Sequence, residues 1–445
     1  MIWIIARREF LEYMKSMKFL IGFLTTLALI VISTFINAGD YSQRKQDFIS
    51  AQEEMKSDVS YIRVYRPPEV FSTLVQGKDR KLGNRLEMTY FRLPPRTTGY
   101  MGEMASQHHR FVAGFSAIDY AFVVRIILSL MVIFLIYNAV NGEKSQGTLR
   151  LIYANPIPRY VLLLGKFVGG LTIILLVLLI GTIVSILILV FNPAISLNGS
   201  DWIRLLCIFG MSALYLTCFC TLCLFISVIV DRPSIALTIL LQVWIFLSII
   251  YPNLATVAAE NWYKLPSDPE IIQQKRAAFQ KYEDELVKNN EEFNKQIMSG
   301  QYASGDVWQK YIELNSKKAE VEYGVDLGFS RQLTRQLELA QMLSILSPAA
   351  LYDQATIRYA RTGMEQFEKF MDAVARKWQE HVAVAKLRAQ NPEEGYKKKL
   401  SAFGFESEST GQSFVATVPQ IIILLLFSVI FFMLAYTSFL RKDVR

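Results

Sequence analysis

From residue 19 to residue 38 the chain runs for 20 residues without a charged side chain. At 1.5 Å per helical residue, such a run crosses roughly 30 Å of hydrocarbon. The pattern recurs at about 120–140, 161–191, 205–230, 234–251 and 418–440. A soluble core does not need six such blocks, so the spacing predicts an all-α polytopic membrane protein with about six transmembrane helices. The first block is too long for a signal-peptide apolar region, typically about 7–15 residues, and ends Phe-Ile-Asn-Ala-Gly-Asp rather than in a small-residue cleavage motif. It reads as an uncleaved anchor. Arg125 lies near one end of the second block, where its side chain can snorkel to the interface. Lys166 lies near the start of the third, whose apolar part begins close to Phe167.

Between the blocks the chain is strongly polar, and its charges set a topology. The sequence carries a net charge of +8 and is 52% hydrophobic, with the apolar excess confined to the blocks. Arg7, Arg8, Lys15 and Lys18 precede the first block; Lys144, Arg150 and Arg159 separate the second and third. Arg232 lies between the fourth and fifth, and Arg441, Lys442 and Arg445 follow the sixth. With six spans all these segments share one side, which the positive-inside rule makes cytoplasmic. The basic balance is then accounted for by topology, with no nucleic-acid partner.

The resulting map has a cytoplasmic amphipathic helix (1–18), spans at 19–38 and 120–140, a cytoplasmic segment (141–160), and spans at 161–191, 205–230, 234–251 and 418–440. A short cytoplasmic tail (441–445) ends the chain. Two outer regions remain, 39–117 and 252–417. Pro67-Pro68 and Pro94-Pro95 with nearby Thr and Tyr mark the first as a small mixed α/β part. Spaced apolar residues such as Ala278, Tyr282, Leu286, Phe293 and Ile297 mark the second as large and mostly helical, with long helices forming a projecting hairpin.

Several chemistries find no support. A phosphate-cradling loop needs G-x-x-x-x-G-K-[ST], and Gly77-Lys78 and Gly165-Lys166 are followed by Asp79 and Phe167. No G-x-S-x-G and no H-E-x-x-H occurs. The four cysteines, Cys207, Cys218, Cys220 and Cys223, all fall in the fourth block, where they read as small apolar helix residues. His108, His109 and His381 lack companions at ligand spacing. No catalytic residue and no metal site are assigned. Arg125 and Lys166 alone carry charge within the spans, both near ends, which argues against ion-coupled transport.

The most informative stretch is residues 141–166. Leu149, Ile152 and Tyr153 can form one apolar face of a short helix that Asn155-Pro156 stops. Such an element at a membrane surface suits docking into a partner's groove, although spacing alone equally fits an ordinary connector. At the N-terminus Ile5, Phe10 and Met14 oppose Arg7, Arg8, Glu9 and Glu12, the pattern of a helix lying along the interface.

Glu143, Gly147, Thr148, Leu149, Pro156, Arg159, Gly165 and Lys166 together resemble the Glu-x-x-x-Gly-Thr-Leu…Pro-x-x-Arg…Gly-Lys pattern of type-2 ABC exporter permeases. Ala6-Arg-Arg-Glu-Phe-Leu-Glu resembles that family's interfacial helix, which implies a role for Arg7, Arg8, Glu9 and Phe10. Arg66-Pro67-Pro68 with Leu74-Val75-Gln76-Gly77 is similar to the outer region of large-loop permeases grouped with copper-enzyme maturation and gliding motility. So is Leu346-Ser347-Pro348-Ala349, followed by Ala355, Arg361-Thr362-Gly363 and Phe367.

The resemblance implies a permease subunit with no cofactor of its own. An ABC-type ATPase partner would bind ATP and Mg and contact Glu143, Gly147, Thr148, Leu149, Pro156, Arg159 and Lys166. It further implies a second permease copy, a bacterial cytoplasmic (inner) membrane with its lipid, and a periplasmic or surface partner at 252–417. The rival reading is a non-transporting scaffold or sensor whose outer domain binds a ligand; a membrane-embedded enzyme lacks any catalytic constellation.

Overall fold

The computed structural model describes residues 1–54, 62–79, 85–88, 93, 118–145, 158–299, 305–391, 401 and 403–441. Among them, six helices are long and apolar enough to cross a membrane. They are α2 (Met17–Glu54), α3 (Tyr120–Ser145), α4 (Arg159–Val190), α5 (Gly199–Ile229), α6 (Pro233–Trp262) and α12 (Thr410–Arg441). A short helix, α1 (Ile2–Met14), precedes them. Both described chain ends lie at one end of the bundle, here the terminal face; the long polar segments occupy the other, the loop face. This is an all-α polytopic membrane protein.

Helix ends follow local chemistry. Asn198 and Asp201 form a reciprocal capping box that starts α5, and Pro233 in the first turn of α6 needs no backbone N–H partner. Three spans overrun the apolar runs that mark them. Helix α2 continues to Glu54, about 24 Å past Ala38 at 1.5 Å per residue, with an i,i+4 Arg44–Asp40 pair of 2.8 Å on its polar part. Helix α6 continues to Trp262, and α12 begins at Thr410.

On the loop face stand β1 (Ile62–Tyr65) and β2 (Arg85–Met88), paired antiparallel with Ile62 opposite Met88. Beside them are α7 (Asp268–Phe279), α8 (Glu283–Met298), α9 (Gly305–Leu343) and α11 (Met364–Gln390). The apolar series 278–297 is not one helix: a 3₁₀ turn, Gln280–Tyr282, separates α7 from α8. Both lie against α9, 39 residues long, which runs back to the bundle. A separate loop-face core joins Val64, Leu86 and Leu93 to Phe367, Phe370, Met371 and Trp378.

One segment read from the sequence as outer lies inside the bundle. After α9 the chain turns through Ser344–Leu346 into α10 (Pro348–Tyr359). Ser347 Oγ donates to the Leu247 carbonyl, and Tyr352 stacks on Tyr215 of α5 at 4.9 Å. Leu247 lies 14 positions after Pro233, about 21 Å along α6 and thus within roughly 30 Å of hydrocarbon. Helix α10 therefore dips into the loop-face half of the bundle and returns. Ala349, Leu351, Tyr352, Ala355 and Tyr359 join the main core with α2, α3, α4 and α5.

Candidate functional site

At the terminal face α1 lies in a groove on α4 made by missing side chains. A Cβ at Gly165 would fall 2.6 Å from Ile5 Cγ2, and one at Gly169 would fall 2.8 Å from the Ala6 carbonyl oxygen. Ala6, Glu9 and Tyr13 are the buried face of α1. Exposed Trp3, Ile4, Leu11 and Met14 present apolar surface elsewhere on α1, as an interfacial helix requires.

The groove aims Glu9 at Lys166. Lys166 Nζ donates to Glu9 Oε1 at 2.7 Å and to Glu143 Oε1 at 2.8 Å, and is itself 2% exposed. One ammonium thus joins α1, the end of α3 and the start of α4. Burial, the larger influence, raises the Glu9 carboxyl above its ordinary value, while Lys166 pulls it down.

Neighbouring contacts brace the same corner. The Val140 and Asn141 N–H groups donate to Ser227 Oγ of α5 at 2.9 and 3.3 Å. Lys144 pairs with Asp231 in the α5–α6 turn at 2.7 Å. Arg159 Nη1 donates to the Phe439 and Leu440 carbonyls at 2.9 and 2.8 Å, satisfying acceptors at the end of α12.

The loop face has its own junction. Asp79 accepts from Arg66 and from Arg44 of α2, the latter at 2.8 Å. The Lys78 N–H donates to the Thr362 carbonyl at 2.8 Å beside Gly77, whose φ is +51°. A Cβ on Gly77 would lie 2.5 Å from Thr362 Oγ1. Gln366 Nε2 donates to Glu69 at 3.0 Å, and buried Arg204 donates to the Glu408 carbonyl at 2.7 Å and to Thr410 Oγ1 at 3.0 Å. Burial lifts the Glu69 carboxyl to about 7 against the opposing pull of Arg361. The 66–77 and 361–367 motifs, far apart in sequence, are therefore one structure.

With that architecture in view, comparison with known families is decisive: the model of the ABC-2 family transporter proteins matches residues 3–444. The chain belongs to the ABC-2 transporter family. No curated protein matches it.

In this ABC-2 transporter chain the sequence-predicted positions fall into three groups. Glu9, Glu143 and Lys166 meet. Arg159, the first residue of α4, stands apart from them with its side chain on the end of α12, while Arg7 and Arg8 are exposed and Phe10 is half-buried against the main core. Gly147, Thr148, Leu149 and Pro156 lie outside the described residues. Glu9 does not share the solvated face of Arg7 and Arg8 as α1's pattern suggests; docking on α4 turns it inward. Arg125 pairs with Asp353 of α10, 228 positions away.

Sequence reasoning missed Asp353, Ser227, Asp231 and Arg204. Of these, Arg204 alone gave a signal, as the single basic residue at the edge of the 192–204 connection. The cysteines of the ABC-2 chain carry no disulfide, and no group of three or more His, Cys, Asp or Glu among the described residues is placed to hold a metal.

Proposed function

We propose that the chain is the permease subunit of an ABC exporter, driven by a separate ATPase that docks on the terminal face. The observation that carries this reading is the Lys166 node, which ties α1, α3 and α4 into one unit next to residues 141–160. The basic residues flanking the spans favour a cytoplasmic terminal face, with both chain ends inside and the loop face outward. A bacterial inner membrane suits the resemblance, as does a second permease copy completing the transport path.

ATP-driven closure of the motor would push on the 141–160 segment. Glu143 passes that displacement to Lys166 and Glu9, so α1 and the start of α4 move with the end of α3. Because α3 reaches the loop face, a tilt at one end changes the other. The outer region 252–417 would receive cargo or a periplasmic partner.

The test is co-purification of the full chain with an ATPase and measurement of ATP turnover in the complex. Glu143→Lys, which places a second positive group beside Lys166, or Gly147→Trp should cut turnover about tenfold or more. Turnover unchanged in both, with the complex intact, would overturn the docking role.

A further inference from the structure

Helices α3 and α6 each contain one π-helical stretch, Val123–Leu128 and Phe246–Ile250. Such stretches are rare and concentrate at functional sites. Here they flank one cleft of about 220 Å³ of mixed lining, whose polar residues include Arg125, Asp353, Ser248, Gln341, Gln354 and Thr256, with α9 and α10 as its remaining walls. The first π-stretch includes Arg125, whose carbonyl accepts from Tyr215 Oη at 2.8 Å and from Ser129 Oγ. Trp244 Nε1 donates to Ser129 Oγ at 2.9 Å, tying α6 just before the second stretch to α3 just after the first. At roughly 30 Å³ per molecule the cleft has room for about seven waters.

The cleft is unfinished as a purely structural site. Arg125 and Asp353 are paired, yet their side chains remain 28% and 29% exposed. Arg125 Nε has no hydrogen-bond partner among the described residues, and neither does the hydroxyl of Ser248, which is 6% exposed. The accessible faces of the Arg125 guanidinium and the Asp353 carboxylate leave donors and acceptors open to a polar occupant of the cleft.

Depth and charge select its class. Ser248 and Thr256 stand about 22 and 35 Å along α6 from Pro233, so the cleft straddles the boundary of roughly 30 Å of hydrocarbon, where lipid heads lie. Around it Leu254, Val257, Met342, Ile345 and Leu346 expose apolar surface to acyl chains. A ligand with one charge would leave Arg125 or Asp353 unpaired in a low dielectric. A ligand carrying both charges replaces the pair at both ends, with charge-assisted hydrogen bonds to each.

We propose that this cleft holds the head group of a zwitterionic phospholipid, its phosphate on Arg125 and its ammonium on Asp353. Lipid would bind here whether or not an ATPase docks on the terminal face, so loss of one does not entail loss of the other.

The experiment reconstitutes the full chain in nanodiscs of equal phosphatidylethanolamine and phosphatidylglycerol with matched acyl chains. The chain is then extracted into detergent and its retained lipid measured by native mass spectrometry. Retention of the ethanolamine lipid should exceed that of the glycerol lipid about tenfold. Asp353→Asn leaves the cation alone and should reverse the preference. Ala340→Phe fills the cleft from α9 while keeping both partners of the ion pair in the chain and should abolish the selectivity. Equal retention by the unaltered chain, or full selectivity in Ala340→Phe, overturns the site. Equal thermal stabilisation by free phosphoethanolamine and by the intact lipid overturns the lipid as its source.

Discussion

Lys166 has two anions and almost no water. Removing one partner of a buried ion pair typically costs about 3–5 kcal/mol, because the other charge is stranded. Lys166→Met should therefore destabilise the detergent-solubilised chain by about that amount in thermal unfolding. Glu9→Gln/Lys166→Met should recover part of the loss, since it strands one carboxylate fewer. Glu69 makes the opposite case. Its folded value of about 7 lies above its ordinary 4.5, so the folded state favours the protonated form. Loop-face stability is then full below about 4.5 and falls as pH rises through about 7. Glu69→Gln should flatten that fall, read as protease resistance of the loop face across the same window. At this scale the sequence was legible only in part. Lys166, Glu143 and Glu9 stand out by motif, whereas the partnership of Arg125 with Asp353 spans 228 positions and leaves no local periodicity to read.

Elements were easier to foresee, because an uncharged 20-residue run has few alternatives to a membrane helix. Their limits were not: hydropathy stops where the bilayer stops, while α2 and α6 go on into polar surroundings, held by contacts to the loop face and α9. Re-entrant α10 was hidden for the converse reason. It is short and only moderately apolar, and it is buried by neighbours rather than by its own composition. Glycine roles follow from such neighbours. Gly169→Ala pushes a methyl into the Ala6 backbone and should cost about 1–3 kcal/mol in thermal unfolding, while Gly210→Ala, which meets nothing within 4 Å, should be neutral or slightly stabilising. At the loop face, Gly77→Ala combines a left-handed φ with a clash at Thr362. It should loosen the 66–79 segment, seen as earlier proteolytic cleavage there, with the six spans still folded.

The whole molecule is a bundle braced at both ends. Helix α3 carries Glu143 at the terminal face and Arg125 toward the loop face, so one rod reaches both braces. Deleting residues 1–14 should leave the six spans inserted, yet expose the Gly165–Gly169 groove and lower the melting temperature by several degrees, measured on the full-length and shortened chains side by side. The family and the six-span plan were readable from order and spacing. The lipid cleft was not, because it is assembled from α3, α6, α9 and α10 only after folding. The seat of α1 bears also on biogenesis. Glu9 leaves the ribosome 157 positions ahead of Lys166, and until α4 has entered the bilayer that carboxylate has no cation to meet. The nascent chain must therefore park its first helix on the membrane surface and moor it only once the third span is in place, so that α1 docking reports the arrival of α4.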